Sequence, residues 1–183
     1  MEKKVLTIEE VLARQVEEIL PSRKGLEALM KKKKIRFRTI GTVEDLSPQV
    51  QEKIRRNVAQ TQPYSDLVLT LALSYSSRVE ILEAAKRLCR EVAAGELEVD
   101  QIDEACFEQH LDTAGIPDPD LLIRTSGELR ISNFLLWQIS YTELYVSDKY
   151  WPEFRRDDFL EAVRQYQKRE RRFGHTEARA AAR

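Results

Sequence analysis

The chain has 183 residues, 42% hydrophobic and 33% charged, which suits one globular domain with its own core over residues 1–174. Its 30 basic residues stand against 31 acidic ones, so bulk charge excludes a general nucleic-acid binder and any anion site must be local. No apolar run is long enough to span a bilayer, and two cysteines are too few for a disulfide framework. Cys89 and Cys106 therefore read as reduced, buried thiols of a cytoplasmic chain. Thr7 and Glu10 form a capping-box pattern ahead of Val11, Leu12, Val16, Ile19 and Leu20, which share a helical face. Pro21 interrupts, Ser22 can cap again, and Leu26, Leu29 and Met30 lead to four lysines at 31–34, where cations suit a helix C-terminus.

Residues 35–40 alternate apolar and basic side chains, the pattern of a half-buried strand, and Gly41 ends it. Ser47 with Pro48 starts a helix to about Thr61, closed by Pro63. The nearly unbroken apolar run at 67–73 predicts a strand covered on both faces. Ser76 or Ser77 opens a long amphipathic helix carrying Ile81, Leu82, Ala85, Leu88 and Val92, and Gly95 stops it. A shorter helix is predicted at 102–111, a turn at 117–120, a strand at 120–124 and an apolar stretch at 134–139. A last strand at 143–146, a closing helix at 157–173 and a disordered tail at 175–183 complete the chain.

Strands separated by helices predict an α/β fold, a mostly parallel sheet sandwiched between helices. Ligands of such sheets sit beyond the carboxyl ends of the strands, which directs attention to the loops after Ile40, Leu73 and Ile123. The third loop runs Arg124-Thr125-Ser126-Gly127-Glu128-Leu129-Arg130-Ile131-Ser132-Asn133. Two guanidinium forks match phosphate oxygens, Ser126 and Ser132 add neutral donors, and Gly127 lets the backbone turn close to a ligand. Ser132 is also placed to cap a following helix. Read generically, this is either an anion site or an arginine-rich loop paired internally with Glu128, Asp118 or Asp120.

The exact string from Arg124 to Gln138 resembles the undecaprenyl diphosphate synthase family, the cis-prenyltransferases. So do Tyr141-Thr142-Glu143-Leu144-Tyr145, Trp151-Pro152, Arg169-Glu170-Arg171-Arg172-Phe173-Gly174 and the lead-in at 117–123. Residues 35–41 match as well, and 67–78 more loosely. The resemblance implies joining of isopentenyl diphosphate to an allylic diphosphate with a new cis double bond, lengthening a polyprenyl carrier lipid. It implies that Arg124, Arg130 and Ser132, with Ser126, Ile131 and Arg78 beside them, hold the diphosphate of isopentenyl diphosphate. It further implies that Glu143 helps place Mg²⁺, and that Arg172 and Gly174 reach across a dimer toward the partner's diphosphate site.

Two family strings are absent from this sequence: the His-Asp-Gly-Asn-Gly-Arg-Trp loop, whose aspartate binds Mg²⁺, and the Phe-Ser-X-Glu-Asn-Trp loop. Trp137 and Trp151 both belong to other motifs. The chain reads as the C-terminal two-thirds of the family domain, truncated at its N-terminus, and no catalytic residue is named. A smaller departure is Ser74-Tyr75-Ser76-Ser77-Arg78, where the family usually has Asn-Tyr-Gly-Gly-Arg. Three expectations stay open: a shortened, Mg²⁺-dependent homodimeric enzyme that works poorly alone, a non-catalytic accessory subunit paired with a full-length homologue, or a plain α/β anion-binding module without prenyl chemistry. Removal of two strands is also expected to uncover apolar surface.

Overall fold

The computed structural model describes Met30 and residues 33–169. The expected helices before Met30 and the tail at 175–183 lie outside the described residues, whereas the closing helix, expected to reach 173, ends at Gln167. The chain divides into two compact units, Met1–Tyr75 and Ser76–Arg183.

In the first unit, β1 (Ile35–Ile40) runs parallel to β2 (Leu67–Ala72), with Ile35 opposite Leu67 and Ile40 opposite Ala72. Helix α1 (Pro48–Thr61) connects them, starting where the sequence predicts, with Pro48 in its first turn and Ser47 before it. The core gathers Met30, Phe37, Ile54 and Leu73, with Leu69, Leu71, Val50 and Val58 packed against it. One buried hydroxyl fixes helix to strand. Thr61 Oγ1 accepts from the Phe37 N–H at 2.9 Å and donates to the Asn57 carbonyl at 2.8 Å, so a strand amide outside the ladder is satisfied by the helix end.

Strand β2 differs from expectation. It is not covered on both faces: Leu67 and Val68 are 57% and 46% exposed. Its single hydrogen-bonded neighbour is β1, and only the side bearing Leu69 and Leu71 meets the core among the described residues. Uncovered apolar surface is therefore present at its start.

In the second unit, α2 (Ser77–Ala94) begins after Ser76, whose Oγ accepts from the Val79 N–H. It ends where the sequence predicts, with Gly95 at φ 73°, the left-handed conformation that glycine adopts without a Cβ penalty. Ala84 and Leu88 are buried on its inner side. Cys89, one position further around the helix, is exposed rather than buried, and both cysteines are free thiols. A 100° step per residue separates it from Leu88.

The helix expected over 102–111 is a five-residue α3 (Glu104–Glu108), capped by the Asp103 side chain on the Cys106 N–H. After α3 come β3 (Leu121–Arg124) and β4 (Glu143–Val146), parallel to each other in a second two-stranded sheet, and α4 (Arg156–Gln167). The parallel strands and interleaved helices make this an α/β protein. No described helix is long and apolar enough to cross a membrane.

His110 explains why α3 stops early. Its Nδ1 donates to the Cys106 carbonyl at 2.8 Å, taking an acceptor that a continuing helix would use. Its Nε2 lies 2.9 Å from Glu91 Oε1, so the doubly protonated ring satisfies both partners. The Cys106 carbonyl first, and then the Glu91 carboxylate, raise the His110 pKa above its usual value. A raised folded-state value stabilises the fold below about pH 6.5, and that stabilisation is lost as pH rises through the higher value. We expect this contribution to the thermal midpoint to fall as pH rises above about 6.5. Glu91→Gln should flatten part of that fall in a pH series of melts, and identical slopes would discount the pair.

Candidate functional site

Arg124 ends β3, and the loop beyond it stays tied to the segment after β4. Ser147 N–H donates to the Arg124 carbonyl at 2.8 Å, Ser126 N–H to the Lys149 carbonyl at 2.8 Å, and Gly127 N–H to the Ser147 carbonyl at 2.9 Å. To make this turn, Ser126 and Gly127 take φ values of 69° and 64°. For Ser126 that conformation is uncommon and is held by the flanking hydrogen bonds. A Cβ on Gly127 would lie 3.1 Å from Asp148 Oδ1, so the glycine also permits close approach.

The two arginines meet on one carboxylate. Arg124 Nη2 donates to Glu128 Oε2, and Arg130 Nη2 donates to Glu128 Oε1 at 2.5 Å. Arg124 Nη2 also lies 3.5 Å from Ser132 Oγ. The side chains of Arg124 and Glu128 are 33% and 32% exposed, whereas Arg130 is 68% exposed. Arg124 Nε is buried and has no hydrogen-bond partner among the described residues. A buried donor left unmatched costs about 1–3 kcal/mol, a cost that an anion oxygen would remove. Of the two generic readings of this loop, internal pairing through Glu128 is the arrangement seen. The same pairing holds both guanidiniums at a common point.

The far end of the loop is clamped to the start of α2. Ser77 N–H donates to the Asn133 carbonyl at 3.1 Å, Arg78 N–H to Asn133 Oδ1 at 3.0 Å, and Asn133 Nδ2 to Ser76 Oγ at 2.8 Å. Ser77 Oγ, fully buried, accepts from the Leu136 N–H at 2.9 Å. These serines replace the usual glycines of the resembling family and add hydrogen bonds that glycine could not make. Asn133 takes φ 61°, a value that Asn tolerates better than most residues. Neither Asn133 nor Ser77 is among the site residues that the sequence pattern points to. The available signal was an Asn directly after a Ser in a polar loop, a pattern that favours local side-chain-to-backbone bonds.

Ser132 does not cap a following helix. Residues 132–141 form turns and bends, and positive φ at Ser132, Asn133 and Leu135 excludes a helix there. No helix N-terminus formed by that segment faces the loop.

The structure thus brings Arg124, Arg130 and Ser132 around Glu128, with the Arg78 backbone tied in through Asn133. Ser126 and Ile131 lie on the same loop, Ile131 41% exposed. It does not bring Glu143 to this cluster. Leu121 lies opposite Glu143 and Arg124 opposite Val146. Glu143 and Arg124 therefore sit at opposite ends of the ladder, about 10 Å apart along it, and the alternation of side chains sends them to opposite faces. Glu143 Oε2 accepts from Arg169 Nη1 at 2.8 Å, and the same Nη1 donates to the Leu144 carbonyl at 2.9 Å. Arg172 and Gly174 lie outside the described residues.

For Mg²⁺, the donor set is thin. Among the described residues no group of three or more His, Cys, Asp or Glu side chains converges, and the Glu143 carboxylate is engaged by Arg169. The described residues do not form a ready-made magnesium cage, which would need several hard oxygen ligands.

A family model described as "Putative undecaprenyl diphosphate synthase" matches residues 6–174. An isoprenyl transferase of Geobacter sulfurreducens is 46% identical over 166 residues, covering 85% of this chain and 68% of the relative. A tritrans,polycis-undecaprenyl-diphosphate synthase (geranylgeranyl-diphosphate specific) of Thermoplasma volcanium is 50% identical over 143 residues, covering 78% of this chain and 55% of the relative. Across these two, the chain spans between about half and two-thirds of the relative's length. Among solved structures, lavandulyl diphosphate synthase from Lavandula x intermedia in complex with dimethylallyl diphosphate superposes with a TM-score of 0.85. It is 39% identical, over 93% of this chain and 73% of that one. A probable undecaprenyl diphosphate synthase from Campylobacter jejuni gives a TM-score of 0.72 at 35% identity, over 91% and 72%. The arginine loop and the parallel strands that carry it are thus found in a chain that belongs to the undecaprenyl diphosphate synthase family of prenyltransferases.

Proposed function

We propose that this chain binds the diphosphate of isopentenyl diphosphate for a cis-prenyltransferase that adds it to an allylic polyprenyl diphosphate. One observation carries the reading. Arg124 and Arg130 converge on a single bidentate anion, the Glu128 carboxylate, with Ser132 beside them and a buried Arg124 Nε still lacking an acceptor. A diphosphate offers more oxygens and more charge than a carboxylate and suits two planar guanidinium forks. Anchoring one diphosphate orients the homoallylic double bond, a positioning role that contributes through proximity rather than through proton transfer.

Mg²⁺ enters this reading as an ion borne by the substrate diphosphates. Glu143, which the resemblance nominates as its ligand, lies at the other end of the β3–β4 ladder from Arg124, so no step is routed through it. When bound, the ion would neutralise charge building on the leaving diphosphate. The chain is further proposed to act in the cytoplasm as a homodimer, or as a heterodimer with a longer homologue, Arg172 and Gly174 meeting the partner's site.

Calorimetric titration with isopentenyl diphosphate and with isopentenol tests the reading. Binding is expected for the diphosphate and not for the alcohol. Equal behaviour of the two would remove the diphosphate from the proposal.

A further inference from the structure

We propose that Glu128 is an internal competitor for the anion site. Its carboxylate occupies the arginine pair when no diphosphate is bound and must swing away before one can enter. The inference rests on the diphosphate-binding reading above and adds a residue that sets how tightly that site binds.

The geometry is specific. The two carboxylate oxygens are divided, Oε2 to Arg124 and Oε1 to Arg130, so one group spans both guanidiniums. Each of those contacts is one that a phosphate oxygen would make. Ligand and carboxylate therefore cannot both take the same Nη2 donors in full. Glu128 satisfies the arginines incompletely. It leaves Arg124 Nε buried without a partner, and Ser132 Oγ sits at the 3.5 Å limit from Arg124 Nη2. A carboxylate has too few oxygens to serve these groups as well, whereas a diphosphate has enough.

The Glu128 side chain can leave while the backbone before it stays pinned at Ser126 and Gly127. Glu128 follows Ser126 and Gly127, both in the left-handed region, and precedes Leu129, which is 84% exposed with its side chain in solvent. The Glu128 side chain itself is held by its two ion pairs. Arg124 and Glu128 are about one-third exposed and Arg130 about two-thirds, so both pairs are screened and weak enough to be displaced. If the site is open only part of the time, the apparent dissociation constant is the intrinsic one divided by the open fraction.

The test is titration of inorganic pyrophosphate into four versions of this 183-residue chain, each checked for folding by circular dichroism: the unsubstituted one, Glu128→Gln, Glu128→Asp and Arg124→Ala. Glu128→Gln should bind about fivefold to tenfold more tightly, the gain from releasing two partly exposed ion pairs. Glu128→Asp separates occupancy from charge. It keeps the negative charge but is one methylene too short to span both arginines, so competition expects tighter binding than the unsubstituted chain. A purely electrostatic effect expects no change, and that result would overturn the proposal. Unchanged or weaker binding by Glu128→Gln would overturn it too. If Arg124→Ala abolishes binding while Glu128→Gln leaves it unaltered, only the competitor role fails. If no chain binds pyrophosphate, both this inference and the diphosphate-binding reading fail.

Discussion

Arg124→Ala is expected to weaken isopentenyl diphosphate binding by at least about tenfold, since hydrogen bonds to charged groups contribute roughly 1.5–3 kcal/mol. The effect should exceed that of Arg130→Ala. Arg124 is 33% exposed with its Nε buried, whereas Arg130 is 68% exposed and its contacts are better screened. Arg124→Lys should fall between, because an ammonium retains charge but cannot present a planar fork. The fold should survive these changes, since the loop is pinned by main-chain bonds of residues 124, 126 and 127 to residues 147–149. Calorimetry on the three variants, with melting curves as a control, reads the result. An unchanged affinity in Arg124→Ala would take this residue out of the site.

Much of the architecture could be read from residues whose local chemistry is decisive. Pro48 set a helix start, Gly95 a helix stop, and the alternation at 35–40 a strand. The misses share a cause: each depended on partners distant in sequence. The apolar run at 67–73 suggests two covered faces, but among the described residues only β1 pairs with it and one side meets the core. The helix over 102–111 was cut to five residues because His110 reaches back to Cys106 and across to Glu91 on α2. The arginine loop stood out because its chemistry lies in one short stretch. Its clamp to α2 through Asn133, Ser76 and Ser77 joins residues 57 apart in the sequence, so no local pattern displays it. Glu143 shows the limit most plainly. Its residue type fits a metal ligand, but the β3–β4 register, which periodicity does not encode, places it at the other end of the ladder from Arg124.

Gly41→Ala is expected to destabilise the chain by about 3 kcal/mol or more, enough to threaten a fold whose total margin is typically 5–15 kcal/mol. Two independent costs add. Gly41 has φ 91°, a region that an L-residue with a side chain rarely adopts, and forcing alanine there costs on the order of 1–2 kcal/mol. An added Cβ would also overlap the Leu73 carbonyl oxygen and come within 2.9 Å of Tyr75 Cβ. The Leu73 backbone cannot easily retreat, because its N–H donates to the Ile40 carbonyl at 3.0 Å and its side chain is part of the buried core. Relief would therefore have to break the parallel pairing of β1 and β2 at its end. Gly95→Ala provides the comparison: φ is also positive there, at 73°, but nothing lies within 4 Å of a Cβ, so only the conformational cost applies. Urea melts of the two variants should separate by at least about 1 kcal/mol, the steric share. Equal losses would mean that the packing at Gly41 gives way at no cost, and that the turn after β1 is looser than its contacts imply.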